Sequence, residues 1–117
     1  MLEVLRQLNG SPGINGSLVV AADGLVITSC LGEEVDGDAT AALVGDVVGS
    51  AIEWLQSGGH AEPSQMVVNA SRGKIVVHSA DTCFLVVLTS QFVDLDVTHL
   101  EIASAARLVA RRACLSH

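Results

Sequence analysis

The sequence predicts an α+β domain in which three helices pack on a five-stranded antiparallel sheet. Two observations carry this. Five short apolar runs are separated by turns of two or three residues or by one helical segment, which suits hairpins rather than parallel crossovers. Three further stretches carry helical spacing and helix-end residues. The element order reads α-β-β-α-β-β-β-α, and the 117 residues form a single domain, 1–117.

Leu2, Leu5 and Leu8 are spaced for one face of a short leading helix, closed by Asn9-Gly10. Ser11-Pro12-Gly13 is a loop. Residues 17–22 and 25–30 are strand-like, and Asp23-Gly24 between them is a strong short hairpin signal. Residues 32–38 are acidic and turn-like. Asp38 is placed to cap a middle helix over 39–57, which Gly58-Gly59 ends. Three strands follow at 65–70, 74–79 and 82–89, joined by Ser71-Arg72-Gly73 and Ala80-Asp81. A last helix is predicted from Thr98, which has capping-box spacing to Glu101. Arg107, Arg111 and Arg112 near its end have the sign that suits a helix C-terminus, with a partner contact as the alternative. Asp94 and Asp96 suit the dipole at its start.

Composition narrows the function. Thirteen acids against six bases give a net charge of −7, which excludes nucleic acid as a main partner and disfavours anionic membranes. The longest apolar runs, 18–22 and 83–88, are far short of a membrane span. No apolar segment follows the N-terminus as a signal peptide would, and the three cysteines form no CxxC pair. A reduced, cytoplasmic setting is expected. Half of all residues are hydrophobic and the mean hydropathy is +0.51, so part of that surface is expected against another chain.

The middle helix gives that expectation a location. On a helical wheel Leu43, Val44, Val47, Val48, Ala51 and Trp54, with Ala41, Ile52 and Leu55, sweep about half the circumference, against about 100° for a one-sided surface helix. Gly45 and Gly49 leave one side bare at about 1 kcal/mol each relative to alanine, so something should offset them. Asp46, Ser50, Glu53 and Gln56 form the polar strip. This helix is predicted to pack on its own sheet and on a helix of another copy. Light scattering should give a mass near twice 12.1 kDa, and Val47→Asp should dissociate or unfold the protein.

No catalytic or cofactor site emerges. The only lysine, Lys74, sits in a hairpin, so no phosphate-binding loop is present, and no Gly-x-Ser-x-Gly elbow occurs. His60, His78, His99 and His117 are scattered, and Cys114 with His117 is too small a set for zinc. Cys83 reads as a core filler. Glu33, Glu34, Asp36 and Asp38 lack the order of a calcium loop and read as a solvated turn. The expectation is no enzyme, no cofactor and no metal.

A short leading helix, then Gly13-Ile14-Asn15-Gly16-Ser17-Leu18-Val19-Val20, then Asp23-Gly24-Leu25-Val26-Ile27, resembles the opening of the Roadblock/LC7 family. The three-strand run with Arg72-Gly73-Lys74 in its turn and Phe84-Leu85-Val86-Val87-Leu88 in its last strand is similar as well. The resemblance covers almost the whole chain. It implies the strand order 2-1-5-4-3, with the middle helix on one face and the terminal helices on the other. It also implies a homodimer built by the middle helix and the third strand, bringing Met66, Val67 and Val68 into the interface. Family members are non-enzymatic platforms. Bacterial and archaeal ones resemble a gliding-motility regulator that binds a Ras-like GTPase and stimulates its hydrolysis. This chain departs from that regulator in ending soon after the last helix, so a plain binding platform is the expectation.

The resemblance thus implies a homodimeric platform that binds and regulates a small Ras-like GTPase, with Arg72, Asp46 and Glu53 as candidate partner contacts. Arg72 in its hairpin could reach a GTPase as an arginine finger, though a solvated turn arginine is the simpler reading. A structural adaptor in a motor or kinase signalling complex is the alternative. A small-molecule sensory module would need convergent polar groups in a pocket, which the aliphatic strands do not offer.

Overall fold

The computed structural model describes residues 1–21, 26–31, 49, 50, 53, 65–70, 73–80 and 83–115. Its elements are α1 (Leu2–Asn9), β1 (Ile14–Ala21), β2 (Val26–Leu31), β3 (Gln65–Ala70), β4 (Gly73–Ala80), β5 (Cys83–Ser90) and α2 (Leu95–Leu115). Of the middle helix, Gly49, Ser50 and Glu53 are described, and all three are helical. The turn Asp23-Gly24 and the acidic stretch 32–38 lie outside the described residues.

The five strands form one antiparallel sheet in the order β2-β1-β5-β4-β3, as the family resemblance implies. β1, β5 and β4 are interior strands, and most of their residues are buried on both faces. That is why they read as continuous apolar runs and not as alternating ones. On one face Val19, Val76, Leu85 and Val87 pack with Val4, Leu5 and Leu8 of α1 and with Ile102, Ala105, Ala106 and Val109 of α2. On the other face Leu18, Val20, Ile75, Val77, Phe84 and Val86 form a second buried cluster. Each fully buried aliphatic side chain contributes about 1.5–3 kcal/mol of transfer free energy. Cys83 belongs to the first cluster, as its strand position predicted, and its thiol donates to the Ala80 carbonyl at 3.4 Å.

Local chemistry moves three predicted details. The buried face of α1 is Val4, Leu5 and Leu8, with Leu2 exposed, because a spacing of three residues falls about 60° short of a full turn at each step. β1 starts at Ile14, three residues before the predicted strand. A register shift between Ile14 and Gly16 lets the chain join β5 while Asn15 stays exposed. Gly13, at φ +86°, makes the turn into it. The last helix begins at Leu95 and not at Thr98. The Asp94 Oδ1 accepts the Asp96 backbone N–H at 3.0 Å, which makes Asp94 the cap. Thr98 is buried inside the helix, and its hydroxyl donates to the Asp94 carbonyl at 3.2 Å.

Eight residues make a marginal helix on their own, and α1 is held by more than packing. The Asn9 amide donates to the Cys30 carbonyl at 2.8 Å, and the buried Ser17 hydroxyl donates to the Asn9 Oδ1 at 2.8 Å. One side chain thereby ties the end of α1 to β1 and β2.

Candidate functional site

β3 is an outer strand of the sheet. It pairs with β4 from Gln65 opposite His78 to Ala70 opposite Gly73. Its other edge presents main-chain groups that no strand among the described residues pairs. Sheet edges are usually blunted by charge, proline or a bulge. The sequence of β3, Gln-Met-Val-Val-Asn-Ala, has no charge and no proline, and its register is regular. Met66 and Val68 are half-buried and pack on the Leu18–Val86 cluster. Val67 points to the opposite side and is 39% exposed. At the first pair the Gln65 Oε1 is buried with no hydrogen-bond partner. The neighbouring His78 ring engages the Ser79 carbonyl through Nδ1 at 2.8 Å.

The candidate residues of the sequence reading divide accordingly. The structure brings Met66, Val67 and Val68 together along one open edge. Glu53 is helical and exposed. Gly49 is half-buried, and a Cβ placed on it would meet nothing within 4 Å of the protomer. Leu43, Val44, Asp46, Val47, Val48, Ala51, Trp54 and Arg72 lie outside the described residues.

A second surface escaped the sequence reading. α2 exposes Val97, Leu100 and Leu108, and Phe92 stands 86% exposed just before it. A cleft of about 300 Å³ runs between α1 and α2, lined by Val4, Leu8, Leu100, Ser104, Ala105 and Leu108, with Gln7 and Glu101 among its polar lining. The signal was available, since the wheel applied to the middle helix shows a second apolar stripe on the last one. Among the described residues no group of three or more His, Cys, Asp or Glu side chains could hold a metal ion, and no helix is long and apolar enough to cross a membrane.

Among the described residues, the open edge of β3 and the exposed apolar side chains of α2 are surfaces suited to contact with another chain. The chain belongs to the Roadblock/LC7 family, whose domain profile matches residues 1–89. That family is one of regulatory and adaptor domains, not typically enzymes. An uncharacterized protein of Methanocaldococcus jannaschii is 34% identical over 106 residues, covering 91% of this chain and 93% of its own. The fold matches a Roadblock/LC7 domain from Streptomyces avermitilis with a TM-score of 0.73 at 20% identity, over 100% of this chain and 98% of the other. It also matches the gliding protein MglB from Thermus thermophilus with a TM-score of 0.70 at 20% identity, over 94% and 85% of the two chains. A structure of MglB in a tetrameric arrangement is similar to the same degree.

Proposed function

We propose that the protein is a non-enzymatic, homodimeric platform that binds and regulates a small Ras-like GTPase in the cytoplasm. The observation that carries this is the Roadblock/LC7 match over residues 1–89, and the likeness to a gliding protein points the same way. The dimer is supported by the uncharged β3 edge, which a second β3 would extend into one continuous sheet. It is also supported by the bare side of helical Gly49. Leu43, Val44, Val47, Val48, Ala51 and Trp54 would complete the interface beside Met66, Val67 and Val68. Asp46, Glu53 and Arg72 are the candidate GTPase contacts.

The platform acts by docking. It can shift the nucleotide cycle only as far as it binds the two nucleotide states with different affinity. The test is capture of partners with and without a non-hydrolysable GTP analogue, followed by titration of the purified GTPase in both states. The expected result is an affinity difference between states of at least about tenfold, equivalent to about 1.4 kcal/mol of coupling. Equal affinities, or recovery of a motor or kinase component without a GTPase, would replace regulation with an adaptor role.

A further inference from the structure

α2 carries an apolar stripe that the protomer leaves open. Its inward face is Thr98, Ile102, Ala105, Ala106 and Val109, all buried. On the outward side Val97, Leu100, Ser104 and Leu108 recur at i, i+3, i+7 and i+11, which aligns them along the helix. Val97 is 66% exposed and Leu100 is 74% exposed. Exposed leucine and valine in one continuous line mark a contact surface more than isolated apolar side chains do.

The charges beside the stripe indicate what covers it. Asp94, Asp96 and Glu101 stand around its N-terminal half, and Arg107 and Arg111 stand beside its C-terminal half. All five are exposed. A stripe that is acidic at one end and basic at the other complements a reversed copy of itself. Ser104 is the midpoint. Leu100 lies four residues before it and Leu108 four after, while Asp96 lies eight before and Arg111 seven after, on one flank of the stripe. A second α2 laid antiparallel across Ser104 therefore sets Leu100 beside the partner's Leu108 and Asp96 beside the partner's Arg111. Val97 falls under the methylene stem of the partner's Arg111, and the small serine admits a close crossing. A parallel copy would instead set acid on acid and base on base, which costs affinity. A foreign helix of one charge sign would suit only half of the stripe.

We infer that the outer face of α2 is a self-association surface, closed by the antiparallel α2 of a second copy about a two-fold axis. It is separate from the β3 edge and does not depend on it. A single helix pair is smaller than a standard interface, so the association is expected to be concentration-dependent.

The experiment is sedimentation equilibrium across a concentration series on the wild type, Leu100→Glu, Asp96→Arg and the charge swap D96R/R111D. All the altered side chains are exposed, so each variant should keep the wild-type far-UV spectrum. At high concentration the wild type is expected to have at least twice the mass of Leu100→Glu. Asp96→Arg should weaken association by roughly tenfold, because the change acts twice across the axis, and the swap should restore most of it. Mild oxidation of Ser104→Cys should link two copies through residue 104, identified by peptide mapping. The mass lost in Leu100→Glu is the readout. That variant is a dimer if the sheet edges also pair and a monomer if they do not, and the wild type is heavier in either case. One mass shared by the wild type and both single variants, or a swap that restores nothing, overturns the antiparallel pairing.

Discussion

Gly73 shows how far one missing side chain governs the sheet. It opens β4 opposite Ser90, and a Cβ placed on it would collide with the Thr89 carbonyl oxygen of β5. Backbone is the obstacle, so rotamer adjustment offers no relief. Gly73→Ala should therefore destabilise the fold by about 2 kcal/mol, within the range for overpacking in a close-packed site. The urea midpoint measures this, and an unchanged midpoint would mean that β4 begins later than Gly73. In the sequence this residue belongs to the turn Ser71-Arg72-Gly73, which correctly marks a strand boundary but says nothing of the close approach. Gly16 is a milder case, since its Cβ would come within 3.0 Å of Leu31 Cδ2. Ser17 was legible as a strand residue, though not as the fourth of its strand, and its bond to Asn9 was not legible. That contact joins residues eight apart across a loop, and local patterning carries no information about it.

Among the elements, interior strands were the most legible, because burial on both faces writes itself as unbroken apolar runs in β1, β4 and β5. Their order across the sheet followed from the family resemblance and not from any run. The start of α2 was misplaced because two capping signals compete within four residues, and the Thr98–Glu101 pair is the more conspicuous. Asp94 prevails since Thr98 lies on the buried face of the helix, where its side chain is committed. Asp94→Ala should accordingly cost about 1 kcal/mol by thermal or urea unfolding, while Glu101→Gln should be near neutral. The reverse order of effects would restore the capping box. The stripe on the outer side of α2 was not predicted, because capping spacing and end charges locate a helix without dividing its apolar residues between two faces. β3 makes the edge prediction. Val67 is 39% exposed on an uncharged outer strand, and a lysine there is the common natural device against edge pairing. Val67→Lys should lower the mass in light scattering by half and leave the protomer folded. A dimer that persists in that variant would place the interface away from this edge.

At the scale of the whole molecule, apolar side chains remain among the described residues that the two internal clusters do not absorb. Half of the chain is hydrophobic, both faces of the sheet are already buried, and Val26, Ile27, Val67, Val97 and Leu100 still meet solvent in the protomer. A net charge of −7 keeps such a surface soluble but makes copies repel at long range. Association must then come from short-range burial and local charge pairing, which is the form both proposed surfaces take. Their consequence is thermodynamic and does not depend on which surface dominates. For a protein that unfolds as a dimer, raising the concentration a hundredfold adds about 2.7 kcal/mol per dimer. Spread over the unfolding entropy of two 117-residue chains, that is a rise in Tm of about 5 °C. Calorimetry at two concentrations measures it, and added salt should raise Tm at both as the net repulsion is screened, while the difference between them stays set by stoichiometry and unfolding entropy. A Tm independent of concentration would make the protein a stable monomer. The open edge of β3 and the stripe of α2 would then be surfaces kept for a different chain, and GTPase binding would be the first place to look for it.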